Sequence, residues 1–578
     1  MTKGYFAFIL HGHLPYVLSH GRWPHGTDWL SEATAETYIP VIQALDELVS
    51  EGRSPKLTMG LSPILCEQLS DNSFKDEFIT YLQQKIEAAQ HDAEEFYKYG
   101  QKGMLSMAKY WETFYGQTME RFEQFGRSIL PEFRRLQDSG ELEIITCGAT
   151  HGYYPLLSRD ESLQAQTKMA VKNYRHHFGC SPRGLWLPEC AYRPRYDWMP
   201  PVPIEGQSGS YSRKGVDEFL SENGIDFFII DSVLLKGGKS LGVYIDRFDA
   251  LKLLWGQFEK QYQPRDEDTK KTPREVYLIS STPEGKKPTA IFTRDPETGL
   301  LVWSGEHGYP GDGNYLDFHK KRFPGGHRYW AVTSSKADLA DKIEYDRNRA
   351  MQRIPENASH YADKIEEALL SYYESSGKAG ILTAPYDAEL FGHWWFEGPE
   401  FLKHSLKNIE DNQSVELTFL SEHLDRTKPS KVISIPEGSW GQGNHHYIWL
   451  NKDNEWTWKH IYESEKKMSE LARYWVEHPK QQDDKLEEML KQLARELMLM
   501  SASDWQFLIS TWAARDYAEL RLSEHYEDFK RLAKMTAKKM DGQSLDAGDE
   551  QFFVDCQERN RIFDDIEIEW FAKVEYPA

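Results

Sequence analysis

The sequence predicts an α/β fold: a (β/α)7 barrel with a helical insertion and a helical C-terminal domain. Three observations carry this. Seven short apolar runs alternate with helical patterns over the first two-thirds of the 578-residue chain, which implies a parallel sheet. A polar, chemically capable residue follows each run, whereas an open doubly wound sheet would gather such residues at one switch point. After about residue 425 the strand pattern gives way to amphipathic helices.

The runs are Tyr5–Leu10, Lys56–Gly60, Leu142–Cys147, Gly184–Leu187, Phe227–Ile230, Thr289–Thr293 and Gly380–Ala384. Each is apolar on most positions, as fully buried parallel strands are. His11 and His13, Ser62, His151, Glu189, Asp231, Arg294 and Asp387 follow them in that order. Tyr38–Leu48 and Ser162–His177 carry helical spacing between runs. Residues 70–135 place Phe78, Tyr81 and Leu82, then Met104, Met107, Trp111 and Phe114 at helical intervals, which predicts an insertion on the barrel rim. Within Leu235–Lys287, the stretch Gln261–Glu275 is charged and nearly free of apolar residues, which predicts a solvent-facing loop. Leu486, Met489, Leu490, Leu493, Leu497 and Met500 form one helical stripe, and Glu455–His478 and Asp504–Met540 read similarly. The expected division is a catalytic barrel over 1–425, including the insertion at 70–135, and a helical domain over 426–578.

Composition narrows the function. With 69 Lys+Arg against 91 Asp+Glu, the net charge of -22 argues against binding a phosphate backbone. No apolar stretch approaches the ~20 residues that a membrane-spanning helix needs. The start of the chain lacks the apolar core and small-residue cleavage site of a signal peptide, so a cytoplasmic location is expected. Cys66, Cys147, Cys180, Cys190 and Cys556 are scattered and form no Cys-x-x-Cys pair, so neither a disulfide framework nor a cysteine zinc site follows. Aromatic residues reach 13%, with 18 Trp and 31 Tyr. That surplus serves a core equally well, or a groove in which sugar faces pack on rings.

Two carboxylates stand out. Glu189 lies just past a buried strand among Trp186, Pro188, Cys190 and Tyr192. Its ordinary explanation would be an ion pair with an arginine such as Arg193. Asp387 lies in a segment dense in Glu389, His393, Trp394 and Trp395, and alone it would read as a helix cap. Two carboxylates on different strand ends of one barrel fit glycoside cleavage, with one as nucleophile or base and the other as proton donor. His11 and His13, two residues apart, can face one side of a strand exit. With His151 they could hold a metal, or as neutral imidazoles bond sugar hydroxyls. Arg294 could keep Glu189 ionised, or pair with Asp295 on the surface. Gly308–Gly313 is a turn-rich loop that could let backbone approach a ligand. Trp440 and Trp449 sit in a glycine-rich stretch, either as an interdomain core or as sugar platforms.

Five segments in order resemble glycoside hydrolase family 57: His11–Val17, Ala149–Pro155, the Trp-Leu-Pro-Glu segment ending at Glu189, Asp387–Trp395, and the Trp440/Trp449 stretch. Tyr309–Asp312 and Ala502–Trp505 are similar to features of the 1,4-α-glucan branching enzymes within it. The resemblance implies a (β/α)7 barrel, a helical insertion and a helical C-terminal domain walling the groove. It implies Glu189 as the nucleophile of a retaining double displacement and Asp387 as general acid, then base, with no metal and no cofactor. His11, His13 and His151 would line the donor subsite, while Arg294, Gly311, Trp303, Trp440, Trp449 and Asp504 would position glucan. A tyrosine on a loop after the fifth strand would shield the intermediate from water, and Tyr244 is the nearest residue to that place. The implied substrate is an α-1,4-glucan such as amylose, amylopectin or glycogen, with neither nucleic acid nor membrane as a partner. The same site would suit an α-glucan hydrolase or a 4-α-glucanotransferase. A metal-dependent polysaccharide deacetylase would instead use His11, His13 and His151 as ligands.

Overall fold

The computed structural model describes residues 2–236, 271–281 and 287–574. Seven parallel strands form the barrel: β1 (Gly4–Gly12), β2 (Leu57–Leu61), β3 (Leu142–Cys147), β4 (Gly184–Trp186), β5 (Phe227–Ile230), β6 (Thr289–Thr293) and β7 (Gly380–Asp387). Neighbours pair in that order, and β7 pairs back onto β1, with His11 opposite Asp387. The ring closes between β6 and β7 through one parallel bridge, Arg294 to Thr383, beside the Asp295 N–H donating to the Thr383 carbonyl at 2.9 Å.

The side chains of these strands sort by parity, because successive residues of a strand point to opposite faces. Ala7, Ile9, Ile145, Cys147, Trp186, Phe227, Ile229, Ala290, Phe292 and Ile381 form one small cluster, the barrel interior. Phe6, Phe8, Leu10, Ile144, Leu185, Phe228, Ile230, Ile291 and Leu382 belong to the larger cluster under the helices. Both faces are apolar, so the runs read as continuous rather than alternating.

Three short segments widen the lower, N-terminal end. Val415–Leu417 pairs with Gly4–Phe6 of β1, and Tyr277–Ile279 pairs antiparallel with Thr289–Ile291 of β6. Val432–Ile433 then joins Tyr277–Ile279. Sheet pairing therefore continues past 425, and the expected domain boundary falls inside the helix Leu420–Thr427.

Helices Asn72–Lys98 and Lys102–Gln124 pack as an antiparallel pair between β2 and β3, their buried face including Phe78, Tyr81, Trp111 and Tyr115. The last third is built on Glu455–Glu477, Asp484–Met500, Ser503–Thr511 and Arg515–Met540. The single helix expected over Asp504–Met540 is two. Its break is Trp512, a non-glycine residue at φ 58° that ends the shorter helix. Among the described residues no helix is long and apolar enough to cross a membrane. Ser240–Tyr244 and most of the charged Gln261–Glu275 stretch lie outside the described residues.

Candidate active site

Continuing the inward parity by one step past the apolar interior gives the floor of the site. His11 follows Ile9, Asp231 follows Ile229, Arg294 follows Phe292, and Asp387 extends the row of Ile381. His11 stacks on Trp186 at 4.5 Å with 3° between the planes, so the site rests directly on the barrel core.

Glu189 reaches this floor by a strained turn. It sits at φ 59° and Cys190 at φ 48°, and His151 after β3 has φ 58°. Left-handed backbone at non-glycine residues costs about 1–3 kcal/mol each, and such strain concentrates at functional positions. A segment from beyond the barrel clamps the turn. Tyr192 and Gly438 form an antiparallel bridge, and the Trp440 N–H donates to the Glu189 carbonyl at 3.1 Å. The glycine at 441 is needed for closeness, since a Cβ there would lie 2.5 Å from the Trp449 ring.

The two carboxyls stand in unequal surroundings. Glu189 Oε2 accepts from Trp440 Nε1 at 2.8 Å, and Oε1 accepts from Ser503 Oγ at 3.2 Å. Burial pushes its pKa up to about 7, with the Asp504 charge adding and the Trp440 hydrogen bond subtracting. Arg193 is not its partner; that guanidinium is buried against the Lys214 carbonyl at 2.9 Å. Asp387 caps nothing: its side chain makes no capping bond, and among the described residues no hydrogen bond reaches its carboxyl. Burial holds it well above the usual carboxylate range, with the Glu389 and Glu189 charges adding and Arg294 opposing. Arg294 pairs with Asp231 at 2.6 Å and so does not ion-pair with Glu189 or Asp295; its field favours the Asp387 carboxylate instead. Asp295 pairs with Arg274 at 2.5 Å.

Three histidines wall one side. His13 Nε2 meets Asp504 Oδ2 at 3.0 Å, and its Nδ1 meets Ser62 Oγ at 2.9 Å. His151 Nδ1 meets Ser503 Oγ at 2.8 Å, and His11 Nε2 meets His151 Nε2 at 3.3 Å. Burial, with the neighbouring imidazoles, holds His11 and His151 well below the ordinary histidine value, hence neutral. His13, His151 and Asp504 offer ligand-type atoms within 4.8 Å of one another, as do His11, Cys147 and His151. Yet the His13 and His151 rings stack at 3.9 Å and 9°. Imidazole lone pairs lie in the ring plane, so here they run side by side rather than converging on one ion.

One cleft of about 480 Å³ gathers ten of the residues the sequence singled out: His11, His13, His151, Glu189, Arg294, Trp303, Asp387, Trp440, Trp449 and Asp504. Gly311 does not line it; it belongs to a tight turn where a Cβ would lie 2.3 Å from the Gly305 carbonyl oxygen. Tyr244 lies outside the described residues. Trp449 is both core and wall, buried to 1% exposure and stacked on Tyr153 at 4.5 Å.

Of the far wall, the sequence offered only His393 and Trp394, in the Asp387–Trp395 segment. Trp29, Phe318 and Trp394 line it with Glu32, Lys321 and His393. Glu32 Oε2 lies 2.9 Å from His393 Nε2, and Lys321 Nζ is 3.3 Å from both Glu32 oxygens. Against the cost of burial, those two partners hold Glu32 well below the ordinary glutamate range. Behind Asp387, buried Glu389 accepts from the His13 N–H at 3.1 Å and from the Tyr38 hydroxyl. The Trp-Trp pair and Glu389 were visible in the motif; Glu32 and Lys321 carried no local signal.

Residues 7–436 match the model of "Glycosyl hydrolase family 57", and residues 460–571 match that of "1,4-alpha-glucan branching enzyme, C-terminal". The chain is 40% identical over 532 residues to a 1,4-alpha-glucan branching enzyme of Thermococcus kodakarensis, covering 92% of this chain and 73% of that protein. The crystal structure of a branching enzyme of this family from Thermococcus kodakaraensis, in complex with glucose and additives, superposes with a TM-score of 0.88 at 37% identity, covering 100% of this chain and 98% of that one. An α-amylase of Thermotoga maritima follows at 0.80 and 28%, covering 99% and 100%.

Proposed function

The chain belongs to glycosyl hydrolase family 57, and from that premise we propose that Glu189 is the nucleophile and Asp387 the general acid and then base of a retaining transfer. The chain acts as a 1,4-α-glucan branching enzyme, cutting an α-1,4 bond and forming an α-1,6 branch; this rests on the similarity across 92% of its length and on the C-terminal match. The division of labour rests on one observation. Glu189 receives a hydrogen bond on each oxygen, from Trp440 and from Ser503, while no described residue hydrogen-bonds Asp387. Donors to a carboxylate favour its charged form, so Glu189 ionises first and Asp387 keeps its proton.

In the first half-reaction Asp387 gives its proton to the leaving glycosidic oxygen while a Glu189 oxygen bonds to the anomeric carbon. In the second, the Asp387 carboxylate takes the proton of an acceptor 6-hydroxyl, whose oxygen displaces Glu189. Two inversions restore the α configuration. His11, His13, His151 and Asp504 offer donors and acceptors for sugar hydroxyls, and Arg294, Trp303, Trp440 and Trp449 position the glucan. Gly311 keeps only an indirect part, holding its turn, and Tyr244 stays in the proposal as the shield against water. Amylose, amylopectin and glycogen are the proposed substrates. All five cysteines are free thiols, which suits a reducing cytoplasm as the setting.

Hydrolysis of α-glucan is the second reading, favoured by the amylase neighbour. Incubation with amylose, following reducing ends and α-1,6 linkages by proton NMR, separates the two. New α-1,6 signal with few reducing ends supports transfer, whereas reducing ends without α-1,6 signal overturn it.

A further inference from the structure

Ser503 lies in the Ala502–Trp505 segment but was given no role from the sequence, and its hydroxyl touches both the Glu189 carboxylate and His151. It opens the helix Ser503–Thr511 and is fully buried. Its backbone is fixed to the barrel: the Ser503 N–H donates to the His151 carbonyl at 3.0 Å, and Gly152 and Ala502 form an antiparallel bridge. One turn earlier, Thr150 Oγ1 donates to the Met498 carbonyl at 2.6 Å.

We infer that Ser503 is a positioning residue for the nucleophile, supplied by the helical C-terminal region and orienting Glu189 and His151 together. The inference rests on the reading of Glu189 given above. The hydrogen-bond directions follow from what each group can do. An ionised carboxylate only accepts, so the single hydroxyl proton of Ser503 points to Glu189 Oε1 at 3.2 Å. The Ser503 oxygen must then accept from His151 Nδ1–H at 2.8 Å. A neutral His151 protonated on Nδ1 has a bare Nε2, which accepts from His11 Nε2–H at 3.3 Å. This direction leaves the buried His11 Nδ1 as an unpaired lone pair, whereas protonating Glu189 on Oε1 breaks the chain or reverses it, and reversal leaves a buried His11 Nδ1–H donor without an acceptor. The chain of bonds therefore favours the ionised nucleophile. With one donor on each oxygen, a lone pair stays available on either for the anomeric carbon.

Other groups also face Glu189. They are His13 beyond β1, Cys147, His151 and Tyr153 at and after β3, Asp387 at β7, Asp504 beside Ser503, and Cys190 next in the chain. Of these, His151 also loses its bond to residue 503, but burial keeps it neutral, so a change in the ionisation of Glu189 there reports the hydroxyl.

The test uses the full-length chain and amylose, with initial rates taken across pH for Ser503→Ala, Ser503→Thr and Ser503→Cys. In Ser503→Ala the acid limb of kcat/KM should move up by on the order of one pH unit, since one donor to a charged carboxylate is lost. The rate at neutral pH should fall about fivefold, mostly in kcat, with KM within about twofold of the parent. Ser503→Thr, which keeps the hydroxyl, should restore the limb. An unmoved limb in Ser503→Ala overturns the inference whether or not the rate falls. If that variant does not fold, Ser503→Cys carries the test: a weaker donor of similar size should move the limb the same way, and a limb at the parent position overturns the inference. Glu189→Gln, run alongside, separates the two levels. An active Glu189→Gln sinks the nucleophile assignment itself. An inactive one beside an unmoved Ser503→Ala limb sinks only the role of Ser503.

Discussion

Replacing Trp440 with Phe keeps a ring in the wall but removes the indole N–H that lies 2.8 Å from Glu189 Oε2. A hydrogen bond to a charged group contributes about 1.5–3 kcal/mol. At 1.36 kcal/mol per unit, its loss should raise the Glu189 pKa by roughly one to two units. From a starting point of about 7, the ionised fraction at neutrality drops from about half to between roughly one-tenth and one-hundredth. Only the ionised form of the proposed nucleophile can attack, so kcat/KM at pH 7 should fall roughly 5- to 50-fold. The loss should shrink as pH rises, until Asp387 gives up its own proton. Initial rates of branching on amylose between pH 5.5 and 9.5, with α-1,6 linkages counted by proton NMR, read this directly. Trp440→Ala is the contrast, because it also removes ring contacts with Trp186 at 5.3 Å and Trp303 at 5.9 Å and should raise KM. A Trp440→Phe enzyme whose acid limb stays at the parent pH would refute the link between this donor and the nucleophile.

Further outcomes follow from the same geometry. Glu189→Gln should lower kcat by about three orders of magnitude or more while glucan still retards the protein in affinity electrophoresis; undiminished turnover contradicts its role. Arg294→Met removes the cation that favours the Asp387 carboxylate, so the basic limb should move to higher pH. It also leaves Asp231 buried and unpaired, which should lower stability by about 3–5 kcal/mol in urea unfolding. Lys321→Met and Glu32→Gln should each raise KM for glucan severalfold with little change in kcat, and a double-mutant cycle should show coupling between them; independent effects would deny that they act as a unit. Dialysis against a chelator should leave the rate unchanged, given the stacked His13 and His151 rings; activity lost and then restored by zinc would overturn that reading of the histidines.

The barrel was legible because its strands are buried on both faces, which makes them unbroken apolar runs. The residues at their ends were legible because inward parity carries from Ile9 to His11 and from Phe292 to Arg294. What stayed hidden depended on distance in sequence. Val415–Leu417 and Val432–Ile433 are too short to show any period, and they become strands only through partners at Gly4–Phe6 and Tyr277–Ile279. Nothing near Arg294 says that its partner is Asp231 rather than Asp295, whose carboxyl is taken by Arg274. The helix break at Trp512 has neither glycine nor proline to mark it. Ser503 reads locally as a helix-start serine, and Glu32, Lys321 and His393 meet only because three separate segments reach one wall.

On the proposed roles, the unequal hydrogen bonding of the two carboxyls gives the C-terminal third a part in the chemistry beyond walling a groove. The barrel brings Glu189 and Asp387 to one floor, but both are buried there and each raises the cost of ionising the other. Burial alone favours the protonated form of both, and a pair of neutral acids has no nucleophile. The two donors that break the tie, Trp440 Nε1 and Ser503 Oγ, both come from beyond residue 435. Asp504, also from that region, pairs with His13 at 3.0 Å. In the proposed mechanism, the same segments that cover the cleft set which carboxyl attacks and which donates.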